Sequence, residues 1–547
     1  MRRAIVGLSL AGEPESYRCP PMPDPQPRLS SELPADSAAP APSCCREPGD
    51  ACLRTRLWIP LALFLFPLLV YGQTIFHRFG FRDDYSMTRE AVEEPGKLLR
   101  VCGAQGRPLY GWLLQLSASH TPDIADFCWL RFGSALCLGL LAALLFAVLR
   151  RLQWPSCSAA LTAALLALLP SAQLLAGWGI CWPHALADAL GLAAFALAEG
   201  GLAAAGSGRR WAGLGGAVLA IVTGALIYQA GPPFYWVGVA GALGMRIGDE
   251  GRKHLRWLGC HAAVLGIGLL LAFGATVALH RSGLFAQSPR VALEADIPGK
   301  LVWSAREVLP QILALFVIGD MAGRTAFAQG VAILLVGGLL LGGLVRVARR
   351  HGAWKAFFWL AMVALLPAAA YGVSLLAAER WVSYRTLFAA SAVVLVLAMT
   401  VLRWAVAAVR GRRLCLGVLA AATFCGVLAA GRQALTLIAL PQAAELGLVE
   451  NGAKAVDPAR NPRVFVITPV QEQSPAALRW NDEFGSLSMV SYWTPAEALK
   501  HVMRERYPSV PDINRRYRLE VGGWLPEGAR PDVVIDLRKI RECRLGE

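Results

Sequence analysis

Eleven apolar runs, each near bilayer-crossing length, dominate this chain from Leu57 to residue 438. A spanning helix needs about 20 apolar residues, because hydrocarbon offers no partner to an open backbone N–H or C=O. The runs lie at 57–75, 127–149, 157–176, 183–204, 211–228, 231–247, 257–279, 327–347, 355–377, 386–408 and 414–438. They predict an α-helical polytopic membrane protein with about 11 transmembrane helices in a lipid bilayer. A soluble multidomain enzyme is excluded. Only 17% of residues are charged, against about 25% in an average globular chain. One further run, Leu309 to Met321, is shorter and ends in Gly319-Asp320. It reads as re-entrant or interfacial.

Charge orients the spans. Place the N-terminus in the cytoplasm, behind Arg54 and Arg56. Alternate loops then carry Arg150/Arg151, Arg209/Arg210, Arg246/Arg252/Lys253/Arg256, Arg346/Arg349/Arg350/Lys355 and Arg403/Arg410/Arg412/Arg413. All fall inside, as the positive-inside rule asks. If 309–321 also crossed, the last two clusters would flip outward. The net charge of +15 therefore reports loops facing anionic lipid. No basic patch with base-reading groups points to nucleic acid.

This topology leaves three soluble pieces. Residues 1–56 are Pro-rich without apolar periodicity and read as a disordered cytoplasmic tail. The first loop, 76–126, faces outward. So does the segment 439–547, where Val464-Phe465-Val466-Ile467 and Asp532-Val533-Val534-Ile535-Asp536 read as strands. Thr494-Pro495-Ala496-Glu497 reads as a capping box, with Thr494 as N-cap and Glu497 answering it. A small C-terminal α/β domain follows from these signals. The 13 cysteines contain no C-x-x-C pair. Cys102 and Cys181 both face the oxidising side, so a disulfide between them is one option.

The residues with chemistry gather at the outer ends of the spans. The first loop begins Arg78-Phe79-Gly80-Phe81-Arg82-Asp83-Asp84-Tyr85. Adjacent carboxylates there suit a general base for an acceptor hydroxyl, or ligands of a divalent cation. They equally suit a solvated loop start balanced by Arg78 and Arg82. Gly106-Arg107-Pro108-Leu109 follows, and Leu109, Trp112, Leu113 and Leu116 form one apolar stripe. That stripe predicts a short interfacial helix with Pro108 at its first position. Arg107 reads as a capping or snorkelling arginine, or as a substrate contact.

Glu379-Arg380-Trp381-Val382-Ser383-Tyr384-Arg385 forms a short outward loop with two arginines, against the charge trend. Guanidinium groups suit bidentate phosphate binding, and Tyr384 and Trp381 offer flat faces to an interface or a sugar. A structural Glu379–arginine pair is the competing reading. His184, after Trp182-Pro183, reads as a second base or a donor to phosphate, or as a structural histidine. Asp188 lies one turn on, and Tyr228-Gln229 closes a span at the same level. Trp480-Asn481-Asp482-Glu483-Phe484-Gly485 is an acceptor contact or a turn.

The combination resembles the GT-C superfamily of membrane glycosyltransferases. It is most similar to bacterial O-antigen glucosyltransferases of the Gtr type, which carry a paired-acid motif and a Gly-Arg-Pro segment in the first periplasmic loop. The resemblance covers about 57–438 and implies a GT-C-like transmembrane domain in the bacterial inner membrane. It implies transfer of a sugar from a polyprenyl-phosphate donor to an envelope glycan or protein acceptor, such as lipopolysaccharide O-antigen. Asp83 or Asp84 would be the base. Arg380, Arg385 and Tyr384 would hold the leaving phosphate, with Arg82, Arg107, His184, Glu379 and Gln229 around the substrate. No metal ligand set is evident, so a divalent cation is left open and no other cofactor is implied. Two other classes are a flippase of lipid-linked sugars and a non-catalytic envelope assembly factor. A transporter should carry repeats and polar groups at the midplane; here they gather at one surface.

Overall fold

The computed structural model describes residues 49–320, 323–408, 412–476 and 483–543. Most of the Pro-rich tail and the side chains of Trp480, Asn481 and Asp482 lie outside the described residues. The first span is carried by α1 (Gly49–Phe76), apolar over Leu57–Phe76. Three short helices make up the following loop: α2 (Asp83–Glu93), α3 (Lys97–Ala104) and α4 (Pro108–Ala118). The bundle continues with α5 (Phe127–Arg151), α6 (Ser156–Leu166), α7 (Pro170–Gly177), α8 (Trp182–Ala203) and α9 (Ser207–Ile227). Then come α10 (Tyr235–Arg246), α11 (Gly251–Arg281), α12 (Ile297–Trp303), α13 (Leu309–Ala314), α14 (Ala326–His351) and α15 (Ala353–Ala370). The chain ends through α16 (Gly372–Leu376), α17 (Tyr384–Ala408), α18 (Arg412–Ala434), α19 (Leu440–Ala453) and α20 (Thr494–Arg506).

Among the described residues, nine helices are long and apolar enough to cross a membrane, or ten if α6 and α7 count as one. The chain is a polytopic α-helical membrane protein. The α6–α7 pair bends by 55° because Pro170 opens α7 and keeps the preceding residue out of the helical region. The expected span at 231–247 is the main departure from the eleven runs. Pro232 and Pro233 delay the helix, so α10 has 12 residues. Every residue from 231 to 244 is buried, so this apolar run passes through the bundle interior rather than against lipid. The run from Leu309 stays short: α13 has six residues and stops at Leu315, whose φ is +48°. The axis of the bundle is α17, buried without interruption from 387 to 400, as a helix apolar on all sides should be.

The loop helix α4 begins at Pro108, as its sequence predicts. Its fully buried residues lie off the apolar stripe. Tyr110, Gly111, Leu114 and Ala118 are buried, whereas Trp112 and Leu116 stay about half exposed. With both faces apolar, the helix packs inward on one and leaves Trp112 and Leu116 outward, while Leu109 and Leu113 are partly buried against the bundle core.

The C-terminal domain is a three-stranded parallel sheet of order β2-β1-β3, built from β1 (Arg463–Ile467), β2 (Arg518–Gly522) and β3 (Val533–Asp536). The central β1 is Arg-Val-Phe-Val-Ile, buried at its last four positions, as a strand covered on both faces requires. The α20 helix starts at Thr494, but Trp493 takes the N-cap position and the expected capping box does not form. Glu497 is drawn away by Arg89 and by Lys500 at 2.8 Å. Arg89 also binds Glu93 at 2.6 Å and sits 3.7 Å from Glu94, so α2 and α20 are clamped around one guanidinium.

His501 completes this clamp. Its Nε2–H donates to the Tyr85 carbonyl at 2.8 Å, and its Nδ1 accepts from Arg504 at 3.0 Å. Burial first, then the charge of Arg504, pushes its pKa down to about 4; the Tyr85 carbonyl and Glu497 oppose that shift and Arg89 adds to it. The unfolded chain then binds more protons than the folded one between pH 4 and 6.5. Stability contributed by His501 is complete above about pH 6.5 and is lost as pH falls toward 4, by about 3 kcal/mol. Thermal unfolding from pH 7 to 4.5 should show wild type losing more stability than His501→Gln. Equal slopes for the two proteins would remove His501 from the clamp.

Candidate functional site

The α2–α4 segment, the turn between α7 and α8, the start of α17 and the C-terminal domain meet at one end of the bundle. Asp84 anchors this meeting. It is fully buried, and its Oδ2 accepts from the Phe81 amide at 2.9 Å while Oδ1 accepts from the Ile180 amide at 3.0 Å. Burial raises its carboxyl to about 6, against the pull of the Phe81, Ile180 and Gly179 amides and the charge of Arg131. Arg131, also fully buried, donates to the carbonyls of Ile75, Phe79 and His77 at 3.0, 2.9 and 2.6 Å. Together they fold the chain after α1 back on itself. Asp84→Ala leaves two buried amides without acceptors and Arg131 without its counter-charge. We expect a loss of about 2–5 kcal/mol, read as a lowered unfolding temperature; an unchanged temperature would contradict this anchoring role.

Asp83 is placed differently. It is only half-buried, and its Oδ1 accepts from the Trp493 indole at 3.3 Å. The preceding residue, Arg82, has φ +45°, a strained backbone for a side chain of this size. That strain is held by its amide donating to Ser488 Oγ at 2.8 Å and by the Asp84 amide donating to the Phe81 carbonyl at 3.0 Å. The turn sends the two carboxylates of the pair apart, one into the protein and one to the surface.

The cations come from two other elements. Arg385, in the first turn of α17, lies 4.4 Å over the Trp178 ring and 5.5 Å from the Trp381 ring. Its Nε is 3.4 Å from Glu483 of the C-terminal domain. Glu483 also accepts from the Ser383 hydroxyl and, at 3.0 Å, from the Tyr384 amide. Arg107 donates to Gln229 at 2.6 Å and lies 5.3 Å over the Tyr228 ring. Gln229 in turn donates to the carbonyls of Gln105 and Gly106. Gly106 has φ +74°, and a Cβ there would come 2.9 Å from Thr276, so this turn requires glycine.

Between these arginines sits His184, stacked on Tyr228 at 3.9 Å and Tyr110 at 5.1 Å between ring centres. It is buried, and among the described residues neither ring nitrogen has a hydrogen-bond partner. The charges of both Arg385 and Arg107 reach it. The Trp178 indole N–H is likewise buried without an acceptor. Buried polar groups are normally paired. Orphaned nitrogens within reach of two guanidiniums make an environment suited to an anion.

Of the residues singled out from sequence, Arg107, His184, Gln229, Tyr384, Arg385 and the Asp83-Asp84 pair come to this end of the bundle, with Arg82 above them. Tyr384 is buried, its hydroxyl accepting from the Gly319 amide at 3.2 Å, so it braces the start of α17. Arg380 and Glu379 stand apart. Arg380 pairs with Glu294 at 3.2 Å and Asp296 at 2.9 Å. The Glu379 carbonyl accepts from Lys300 at 2.6 Å. These contacts latch the 292–300 loop to the chain before α17. Asp188 lies within electrostatic reach of Tyr228. Cys102 and Cys181 are both buried free thiols, so the disulfide does not form.

A divalent cation does not fit the acidic pair. Asp84 spends both oxygens on backbone amides, which leaves Asp83 as the single accessible carboxylate. Among the described residues no three His, Cys, Asp or Glu side chains converge as a ligand set. Trp178, Tyr110, Arg131 and Trp493 were not legible as site residues. They are apolar-looking or span-embedded, and only tertiary structure brings them to the carboxylates and arginines.

No family model matches the chain, and no curated protein matches it. Among solved structures, it is similar to the oligosaccharyltransferase AglB of Archaeoglobus fulgidus, in complex with an inhibitory peptide and a dolichol-phosphate. That likeness has 17% identity and a TM-score of 0.42, over 74% of this chain and 58% of that one. It is also similar to ArnT of Cupriavidus metallidurans, at 11% identity and a TM-score of 0.41, over 85% of this chain and 90% of that one. The chain spans about three-fifths of the length of the archaeal structures.

Proposed function

We propose that this protein is a GT-C-type glycosyltransferase that moves a sugar from a polyprenyl-phosphate donor to an envelope glycan or protein acceptor. The observation that carries this reading is the set of unpartnered buried nitrogens on His184 and Trp178 within reach of the Arg385 and Arg107 charges, at the end of the bundle that also bears the half-exposed Asp83. The positive-inside pattern supports placing this end of the bundle at the periplasmic face of an inner membrane.

The chemistry follows from that arrangement. Asp83 accepts the proton of the acceptor hydroxyl. The oxygen attacks the anomeric carbon, and the bond from that carbon to the phosphate oxygen breaks. The polyprenyl phosphate departs with the electron pair. Negative charge grows on the phosphate in the transition state, where Arg385, Arg107 and the His184 and Trp178 N–H groups meet it. Apolar span walls hold the polyprenyl chain. The test is a transfer assay on protein in lipid, with radiolabelled polyprenyl-phosphate sugars and the cell's own glycans. Label should appear in glycan. Tight donor binding with no transfer from any donor would replace this reading with a carrier of lipid-linked sugars.

A further inference from the structure

At the opposite end of the bundle, α10, α14 and α17 border a half-open cavity of about 240 Å³. It is lined by Gly248, Arg346, Arg350, His351 and Trp404, among others. Arg346 donates to the Trp404 carbonyl at 2.9 Å, and its guanidinium stands 5.9 Å from the Trp404 ring. Among the described residues, none of Arg346, Arg350 and His351 forms an ion pair with a carboxylate. The acids nearest in sequence to the cavity's α10 edge are engaged elsewhere: Asp249 with Arg246 at 3.6 Å, and Glu250 with Lys253 at 3.1 Å. Gly248 leaves the opening clear, since a Cβ there would meet only His351, at 4.0 Å.

Cations in the last turn of α14 offset the helix dipole, and that role needs no cavity. Arg346 lies a turn earlier and is only partly exposed, so a preformed basic concavity remains to be explained. Leu341, Val345 and Trp354 beside it are exposed at 57%, 48% and 66%, the pattern of a surface against acyl chains with an interfacial tryptophan. The volume equals on the order of eight waters at about 30 Å³ each, room for a phosphate and a small alcohol. We propose that this cavity binds the phosphodiester headgroup of an anionic phospholipid from the leaflet at that end. Basic pockets between spans recognise such headgroups through charge, while the acyl chains lie along the neighbouring helices.

The experiment is lipid retention by native mass spectrometry, on protein purified from vesicles of phosphatidylglycerol mixed with phosphatidylcholine. A second arm adds inorganic phosphate to protein in neutral detergent. Wild type should retain phosphatidylglycerol selectively. Arg346→Gln combined with Arg350→Gln should weaken retention about thirty-fold. Arg350→Gln alone, at an exposed position, guards against misfolding and should show a smaller loss in the same direction. Undiminished retention in the double variant would overturn the site. Binding of inorganic phosphate without lipid selectivity would overturn the lipid as its occupant. Because the readout is bound lipid, it is independent of glycosyl transfer.

Discussion

Asp83→Asn should leave a folded protein that transfers sugar about 10²–10⁴-fold more slowly, the range general-base removal commonly costs. The fold should survive because Asp83 is half-exposed and its carboxylate makes one described contact, to the Trp493 indole. Asparagine keeps an acceptor for that N–H but cannot take a proton. The loss should therefore fall on kcat, with donor affinity nearly unchanged. The contrast with Asp84 makes the prediction sharp: Asp84→Ala should lower the unfolding temperature, and Asp83→Asn should not. If Asp83→Asn keeps wild-type turnover in the transfer assay, the base lies elsewhere.

Arg385→Ala should lower kcat by about 10²–10³-fold, the usual effect of deleting one preorganised donor to a developing anion. Arg385 is held on three sides by Trp178, Trp381 and Glu483, so its guanidinium is oriented before substrate arrives. Truncation also takes one cation from the buried Glu483, which still accepts from Ser383 and the Tyr384 amide. Arg385→Lys separates the two consequences. Lysine restores the charge near Glu483 without the planar fork, so it should recover stability and only part of the rate. Full recovery of rate by lysine would reduce Arg385 to a counter-ion for Glu483. Arg380→Ala offers an internal control: its partners are Glu294 and Asp296, so transfer should change little.

Hydropathy announces the membrane because the requirement it reports is local. Each span must satisfy its own backbone, and about 20 apolar residues suffice to reveal it. It does not reveal that the run at 231–247 lies in the bundle interior, because periodicity cannot tell lipid from protein neighbours. The α4 stripe leaves Trp112 and Leu116 exposed, as an interfacial helix asks, but the packing through Tyr110, Gly111 and Leu114 on its other side was not legible. Arg385 was legible because two arginines broke the charge trend of the outward loops. Arg380 broke it equally and has a different task, since only the fold sets Glu294 and Asp296 beside it. The division of labour within Asp83-Asp84 was not legible at all. It depends on a left-handed turn at Arg82 and on amides from a loop about 96 positions away.

One element sets the height of the whole surface. Residues Gly417–Ala453 form a 37-residue helical stretch, α18 and α19 joined by a π-helical turn at Leu435–Ala439, about 55 Å long at the α-helical rise, against roughly 30 Å of hydrocarbon. Near its far end Gln442 donates to the Ser486 carbonyl, and Glu445 accepts from the Ser488 and Met489 amides. Ser488 in turn holds the Arg82 amide beside the two aspartates. This rod is a ruler between the bilayer and the acceptor side of the pocket. One residue inserted into it would raise the ruler's tip by about 1.5 Å and turn it by roughly 100°, swinging Gln442 and Glu445 off their partners. Both the buried side chains near its far end, Gln442 and Glu445 among them, and its count of residues are fixed by what they meet. A change of length in this segment would therefore reach the aspartates without touching them.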